Sequence, residues 1–158
     1  MGNRLANLQS AANFLDMRAG DVLRISKVYE TEPMYVENQP GFLNAVVEIE
    51  ITLEPMELLG IVKSIEIEIG RIPREQFGPR EIDIDLLAYF PPVAIQEKGL
   101  ELPHPKIRER RFVLEPLCEL RPDLEIAPGL LVADAIKGDV LNQSVEVFAD
   151  GILSIHGD

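Results

Sequence analysis

The chain has 158 residues, of which 46% are hydrophobic and 27% charged, and its formal net charge at pH 7 is −12. This composition supports an ordinary buried core and excludes an intrinsically disordered chain. The acidic balance argues against a general nucleic-acid binder, which needs a cationic face. We find no apolar run of about 20 residues and no signal peptide, so we expect a cytoplasmic protein without a membrane partner. We also expect a monomer that binds no nucleic acid.

The single cysteine, Cys118, excludes an internal disulfide and a metal site built from several cysteines. We expect Cys118 to be a small, buried apolar residue of the core.

The first half of the chain predicts two helices and two strands. Apolar residues recur at three- and four-residue steps over 4–17 and again over 55–70. Apolar and polar residues alternate over 22–29 and over 42–53, which is typical of strands in a sheet with one solvated face. The side chains expected to face inward on the second helix are Leu58, Leu59, Val62, Ile65 and Ile69.

The second half predicts a basic loop over 71–80, which we interpret as functional, and then a strand over 82–90. A short strand near 100–102 and a turn lead to a third helix over 106–120. The side chains expected to face inward on this helix are Phe112, Val113, Leu117 and Leu120.

The last stretch, 122–158, is weakly patterned, with a short helix expected near 130–137 and a strand near 144–148. This order of elements predicts a single α+β domain over 1–158, with an antiparallel sheet and helices packed on one side.

The sharpest chemical feature is the pair Asp83 and Asp85. Side chains at i and i+2 of a strand share one face and lie about 6–7 Å apart along it, so both carboxylates should project from the face opposite Ile82 and Ile84. Hard oxygen ligands at that spacing suit Mg²⁺, which retains water and accepts phosphate oxygens. A solvated strand face without function is the alternative interpretation.

The segment around these aspartates is unusually basic. Residues 71–111 hold eight of the fifteen Lys and Arg residues and have a net charge of +1, whereas the rest of the chain carries −13. The eight are Arg71, Arg74, Arg80, Lys98, Lys106, Arg108, Arg110 and Arg111. Guanidinium groups beside a carboxylate-bound metal suit a magnesium polyphosphate ligand. His104 is interpreted either as a phosphate donor or as a turn histidine.

No Walker A pattern and no Rossmann glycine pattern occurs, so a nucleotide would not be held by either glycine-rich loop.

The string GPREIDIDLL over 78–87 resembles the signature of the 6-hydroxymethyl-7,8-dihydropterin pyrophosphokinases, kinases of folate biosynthesis. Companion strings agree in order: YETEP at 29–33, QPGFLNA at 39–45, LPHP at 102–105 and RRFVLEPL at 110–117. The resemblance extends over about residues 1–137. It implies a ferredoxin-like sandwich and an ATP-dependent transfer of pyrophosphate to the pterin hydroxymethyl group, with AMP released.

The resemblance also implies roles for individual residues. Asp83 and Asp85 would bind two Mg²⁺ ions and act in catalysis with Arg71 and Arg80. The residues that match ATP contacts are Glu66, Arg74, Arg80, His104 and Arg110. The residues that match the pterin pocket are Thr31, Pro33, Met34, Phe42, Asn44 and Phe112.

Three departures from the family pattern stand out. The start of the chain matches only the end of the family's Gly-Ser-Asn-Leu-Gly stretch, so the family's first strand is expected to be missing, through a misassigned start or a truncation; a segment such as 144–148 could pair in its place. The loop after Arg71 is short and has Phe77 where a tryptophan is common. Pro105 stands where an aromatic residue often follows His104.

Two other functions remain open at this point. One is a non-catalytic ferredoxin-like ligand-binding module, and the other is a family member inactivated by its short N-terminus.

Overall fold

The computed structural model describes residues 4–31, 42–70, 82–97, 99–143 and 145–148. The predicted loop over 71–80 and the region before the first helix lie outside the described residues. The helices are α1 Arg4–Arg18, α2 Pro55–Gly70, α3 Arg111–Leu120 and α4 Val132–Ala135. The strands are β1 Asp21–Ile25, β2 Tyr29–Thr31, β3 Phe42–Asn44, β4 Val47–Glu50, β5 Ile95–Glu97, β6 Leu100–Leu102, β7 Glu125–Ala127, β8 Leu130–Leu131 and β9 Glu146–Val147.

The chain divides into two compact units, and the division falls between Ile25 and Ser26, between Val46 and Val47, and between Asp85 and Leu86. In the described residues the first unit comprises 4–25, 47–70 and 82–85. The prediction of one domain over 1–158 stays a prediction.

The first unit packs α1 and α2 with the antiparallel pair β1–β4. The apolar stripe expected on α2 is buried at four of its five positions, and Leu59 is half-buried. Ile65 and Ile69 are fully buried. Arg24 of β1 and Glu48 of β4 are register partners and form an ion pair at 2.7 Å.

The second unit contains β3–β2–β9, the hairpins β5–β6 and β7–β8, and the helices α3 and α4. Its core cluster consists of Ile107, Leu114, Leu117, Leu124, Ile126, Val132 and Val140. Helix α4 and β9 fall within the ranges expected for a short helix and a strand in the weakly patterned C-terminal part. However, β9 pairs with β2, so it does not pair beside the aspartate segment.

Each long strand predicted in the first half is divided into two. The Ser26 amide donates to the Val46 carbonyl at 2.9 Å, but the Val46 amide donates to the Ser26 hydroxyl, also at 2.9 Å. Because the hydroxyl replaces a backbone carbonyl as acceptor, the regular ladder is interrupted at this position. The second predicted strand also ends earlier than expected, at Glu50.

The strand predicted over 82–90 is not formed as a strand in the described residues. Its backbone groups form isolated hydrogen bonds instead of a ladder. The Ile84 amide donates to a side-chain oxygen of Glu66, and the Leu87 carbonyl accepts from the His104 amide at 2.7 Å. A period-two pattern predicts alternating exposure, but it does not provide a neighbouring strand.

The third helix is shorter than predicted. A 3₁₀ turn over Ile107–Glu109 is separated from α3 by Arg110, whose backbone is extended. Phe112 and Val113, which were expected to face inward, are only half-buried, because the buried face of α3 is formed by Leu114, Pro116, Leu117 and Leu120. Cys118 is also half-buried, and burial together with Glu115 raises the pKa of its thiol.

These elements confirm a mixed fold of helices and antiparallel strand pairs, compatible with the α+β class. None of the described helices combines the length and the apolar character that a membrane span requires.

Gly20 and Gly60 provide a matched stability test. A Cβ atom at Gly20 would overlap the Glu50 carbonyl oxygen and lie 2.7 Å from Ile51 Cγ2, whereas one at Gly60 would have no atom within 4 Å. We therefore expect Gly20→Ala to destabilise the protein by about 1–3 kcal/mol through overpacking. Gly60→Ala, inside α2, should stabilise it by about 0.5–1 kcal/mol. Urea unfolding measures both, and equal effects of the two changes would contradict this packing.

Candidate active site

The aspartate segment shows the alternation that the sequence predicts. Asp83 and Asp85 are exposed, while Ile82 and Ile84 are half-buried. Between the two aspartates, the Ile84 amide donates a hydrogen bond to Glu66 Oε2 at 2.6 Å. Glu66 is half-buried on α2, whose core-facing residues anchor that helix in the first unit. The two carboxylates therefore stand on a backbone that is tied to a packed helix.

The donor set of this segment fits Mg²⁺. Among the described residues there is no group of three or more His, Cys, Asp or Glu side chains that would enclose an ion. Mg²⁺ does not need such a cage, because it typically uses one or two carboxylates and completes its octahedral shell with water and phosphate oxygens. The exposed pair Asp83 and Asp85 supplies these carboxylates.

His104 lies in the turn after β6, where its backbone amide donates to the Leu87 carbonyl. Its ring Nδ1 accepts a hydrogen bond from the Lys106 amide at 3.2 Å. A neutral imidazole that accepts at Nδ1 carries its proton at Nε2, so Nε2 can donate to a ligand oxygen. His104 is half-buried, and its ring is thus oriented by its own turn.

The two arginines at the start of α3 have different surroundings. The Arg110 guanidinium carbon lies 5.7 Å from the centre of the Phe112 ring, within the range of a cation–π contact. Arg111 instead pairs with Glu115 at 2.8 Å and donates to the carbonyl oxygens of Leu141 and Gln143. Arg111 therefore connects residues 141–143 to α3. Its positive charge, counted above as part of the basic segment, is used in these structural contacts.

Three of the residues predicted for the pterin pocket lie on the β2–β3 pair. Thr31 is the register partner of Phe42, and Asn44 is the partner of Tyr29. Phe42 is 54% exposed, although it is a large aromatic side chain. The side-chain nitrogen of Asn44 is buried and has no hydrogen-bond partner in the part of the chain that the structure describes. A buried donor without a partner is costly, and a polar ligand atom would remove that cost.

A cluster around Glu119 holds this strand pair against α3. The Lys27 amide donates to both Glu119 carboxylate oxygens at 3.1 and 3.2 Å, and the Tyr29 hydroxyl donates to Oε1 at 3.0 Å. Burial, followed by the Glu119 carboxylate, raises the pKa of Tyr29. Because Tyr29 is the register partner of Asn44, this cluster supports the strand pair that carries the Asn44 side-chain amide.

The predicted site residues are thus distributed over the chain as follows. Glu66, Asp83 and Asp85 belong to the first unit, and the contact from Glu66 to the Ile84 amide connects them. The predicted residues in the second unit are Thr31, Phe42, Asn44, His104, Arg110 and Phe112. The predictions for Pro33, Met34, Arg71, Arg74 and Arg80 lie outside the described residues.

Comparison with known proteins identifies the family. Residues 1–122 match the family model described as 7,8-dihydro-6-hydroxymethylpterin-pyrophosphokinase, HPPK. This chain belongs to the HPPK family. The family predicted from the signature at 78–87 is confirmed, and both aspartates and Glu66 lie within the matched range.

Named relatives of the HPPK family agree. The chain is 40% identical over 126 residues to 2-amino-4-hydroxy-6-hydroxymethyldihydropteridine pyrophosphokinase of Bacillus subtilis, covering 79% of this chain and 75% of that protein. It is 40% identical over 124 residues to the Aquifex aeolicus protein of the same name, covering 78% and 76% of the two chains. It is 44% identical over 125 residues to the folic acid synthesis protein fol1 of Schizosaccharomyces pombe, covering 78% of this chain but 17% of fol1.

Two of these features were missed by sequence reasoning. Glu119 was given no role, since its partners Lys27 and Tyr29 lie about 90 positions away and no local pattern connects them. The direct contact of Glu66 with the aspartate segment was also missed, although both lie within the range matched by the HPPK model.

The raised pKa of Tyr29 predicts a pH dependence of stability. In the unfolded chain this phenol titrates near its ordinary value of 10.0, whereas in the folded chain its pKa is higher. Its contribution is therefore complete below about pH 10 and is lost as the pH rises from there toward the folded value. Tyr29→Phe should cost about 1 kcal/mol at neutral pH and should reduce the loss of stability above pH 10.

The measurement is urea unfolding at a series of pH values from neutral to about pH 11. An identical alkaline slope in Tyr29→Phe and in the wild type would contradict the bond to Glu119.

Proposed function

We propose that this chain transfers the pyrophosphoryl group of ATP to the hydroxymethyl group of 6-hydroxymethyl-7,8-dihydropterin, releasing AMP, in folate biosynthesis. Membership in the HPPK family and the names of its relatives support the assignment. The chain spans about 17% of the fungal fol1 proteins and about three-quarters of the bacterial relatives, so the activity is a proposal for this chain. The observation that carries it is the exposed pair Asp83 and Asp85 on a backbone tied to Glu66.

Asp83 and Asp85 would hold the magnesium, and we propose two ions. When bound, Mg²⁺ neutralises the charge of the triphosphate, which would otherwise repel an attacking oxygen. The two carboxylates fit this task because they are exposed and because the intervening backbone is held in place. The two carboxylates themselves would fix the position of the nucleotide's phosphates.

ATP would be bound by arginines and a histidine that donate to its oxygens and by a glutamate that accepts from the nucleotide. The proposed contacts are Glu66, Arg74, Arg80, His104 and Arg110, and Arg71 and Arg80 would stabilise the charge that develops during transfer. His104 supports this proposal through its orientation, since acceptance at Nδ1 leaves Nε2 to donate. Arg110 remains half-buried beside Phe112, where its charge is partly shielded from water.

The pterin would be bound by the strand pair β2–β3 and by neighbouring residues. Phe42 and Phe112 would flank the flat ring, and the buried amide of Asn44 would donate to its polar edge. Thr31, Pro33 and Met34 complete the proposed pocket. Exposed aromatic surface, together with a buried donor that has no acceptor among the described residues, suits a ligand that is both flat and polar.

In the proposed reaction, the hydroxymethyl oxygen of the pterin forms a bond to the β-phosphorus of ATP. The bond from that phosphorus to the oxygen bridging to the α-phosphorus breaks, and AMP leaves with the electron pair. The hydroxyl proton passes to solvent or to a phosphate oxygen, and we assign no general base. Positioning and stabilisation of charge carry most of the catalysis in such transfers.

We also propose that the α+β elements form the ferredoxin-like sandwich implied by the family resemblance and that the protein acts as a monomer.

The assignment predicts AMP formation from ATP, Mg²⁺ and hydroxymethyl dihydropterin. Asp83→Asn and Asp85→Asn should each lower turnover by roughly 100-fold or more, because loss of one preorganised charge contact commonly has an effect of that size. Pterin affinity should change by less than about threefold, because the carboxylates act on the nucleotide. Coupled detection of AMP and fluorescence titration of the pterin measure the two quantities separately.

Asp123→Asn is the matched control, because Asp123 is an exposed aspartate in a turn of the second unit and should leave both quantities unchanged. A non-catalytic ligand-binding module predicts a different outcome: no AMP from the wild type, and ligand binding that is unaffected in Asp83→Asn and Asp85→Asn. That result would overturn the proposal.

A further inference from the structure

The contact between Glu66 and Ile84 lies between the two aspartates in the sequence. Glu66 Oε2 accepts the Ile84 amide at 2.6 Å, and the residues on either side of Ile84 are Asp83 and Asp85. This distance is at the short end for a hydrogen bond from an amide, as expected when the acceptor is a carboxylate. Two peptide units separate the Cα atoms of Asp83 and Asp85, and the first of them carries the amide that is bonded to Glu66.

The direction of the hydrogen bond from the Ile84 amide to Glu66 explains how Glu66 can affect the metal site without contacting the metal. In an extended chain the backbone amide lies roughly perpendicular to the side chains, in the direction of a neighbouring strand. The segment 82–89 forms no strand ladder in the described part of the chain, and the Glu66 carboxylate accepts from the amide as a neighbouring strand's carbonyl would. The side chains of Asp83 and Asp85 are left exposed.

The helix that carries the Glu66 carboxylate, α2, is well packed. Ile65, directly before Glu66, is fully buried, and so is Ile69, three residues after Glu66. Val62, one turn earlier, is 1% exposed. A half-buried carboxylate on such a helix has few positions available, so it restricts the backbone to which it is bonded.

We propose that Glu66 is a positioning residue for the metal site: it fixes the backbone between Asp83 and Asp85, so that their carboxylates are preorganised for Mg²⁺. This inference deepens the proposed function and rests on it for the identity of the ligand. This positioning role differs from the nucleotide contact predicted for Glu66, because Glu66 exerts it through the hydrogen bond that its Oε2 accepts from the Ile84 amide. It predicts an effect on the metal site even when no nucleotide is present.

The test compares Glu66→Ala, which removes the acceptor, with Glu66→Gln, which keeps an oxygen at the same reach. Amide hydrogen exchange of Ile84, measured by NMR on the full chain without ligands, should be protected in the wild type. Exchange should accelerate at least about tenfold in Glu66→Ala and much less in Glu66→Gln. Binding of Mn²⁺ alone, measured by electron paramagnetic resonance, should weaken in the same order.

Kinetics provide a second readout. Glu66→Ala should lower kcat by about tenfold or more and raise the Mg²⁺ concentration for half-maximal rate, while KM for the pterin changes by less than about twofold. Glu66→Gln should restore most of the loss. A selective rise of KM for ATP, equal in both variants and without a change at Ile84, would mean a nucleotide contact and would overturn the inference.

Glu68→Ala is the control, since Glu68 lies on the same helix and forms an exposed ion pair with Arg18 at 3.2 Å. It should alter none of these readouts. Exchange of the Ile65 amide reports whether α2 remains folded in each variant. If the wild-type Ile84 amide exchanges at the rate of an unprotected amide, the inference is wrong whether or not the chain makes AMP, so its failure is distinguishable from that of the proposed function.

Discussion

The candidate site depends on a constraint of the backbone between two acidic residues. Ile82 and Ile84 are half-buried while Asp83 and Asp85 are exposed, and the amide between the two aspartates is bonded to Glu66. Two carboxylates free to rotate on a mobile loop would lose conformational entropy when they bind a metal. A segment that is already held loses less, and the preorganised charge is then available for a magnesium-bound triphosphate.

A similar principle applies to the proposed pterin pocket in the second unit. Glu119 accepts hydrogen bonds from the Lys27 amide and from the Tyr29 hydroxyl, and Tyr29 is paired in register with Asn44. The buried side-chain nitrogen of Asn44 has no hydrogen-bond partner among the described residues. In both units, therefore, a glutamate on a helix supports the backbone next to a group proposed to bind ligand.

The first two helices and the aspartate pair could be predicted from the sequence. Helices α1 and α2 follow from local periodicity, and their observed ends lie within one residue of the predicted ones. Alternating exposure at 82–85 also followed from a period of two. These features depend on neighbours along the chain, which is the information that a single sequence displays most directly.

Features that depend on distant partners could not be predicted in the same way. The Ser26 hydroxyl interrupts a ladder through Val46, and Glu66 reaches an amide 18 positions away. The short strand predicted near 100–102 is confirmed as β6, but its partner β5 and the hairpin β7–β8 were missed, although Gly99 and Gly129, both with positive φ, lie in the two turns. Those strands have three residues or fewer, which is too short for a period-two pattern to be recognised.

The most direct test of the central claim is a crystal structure of the full chain with Mg²⁺, a non-hydrolysable ATP analogue and hydroxymethyl dihydropterin. The account predicts that carboxylate oxygens of both Asp83 and Asp85 coordinate magnesium at about 2.0–2.1 Å, with the Ile84 amide still bonded to Glu66. Magnesium held only by phosphate and water, with either aspartate turned away from it, would contradict the account.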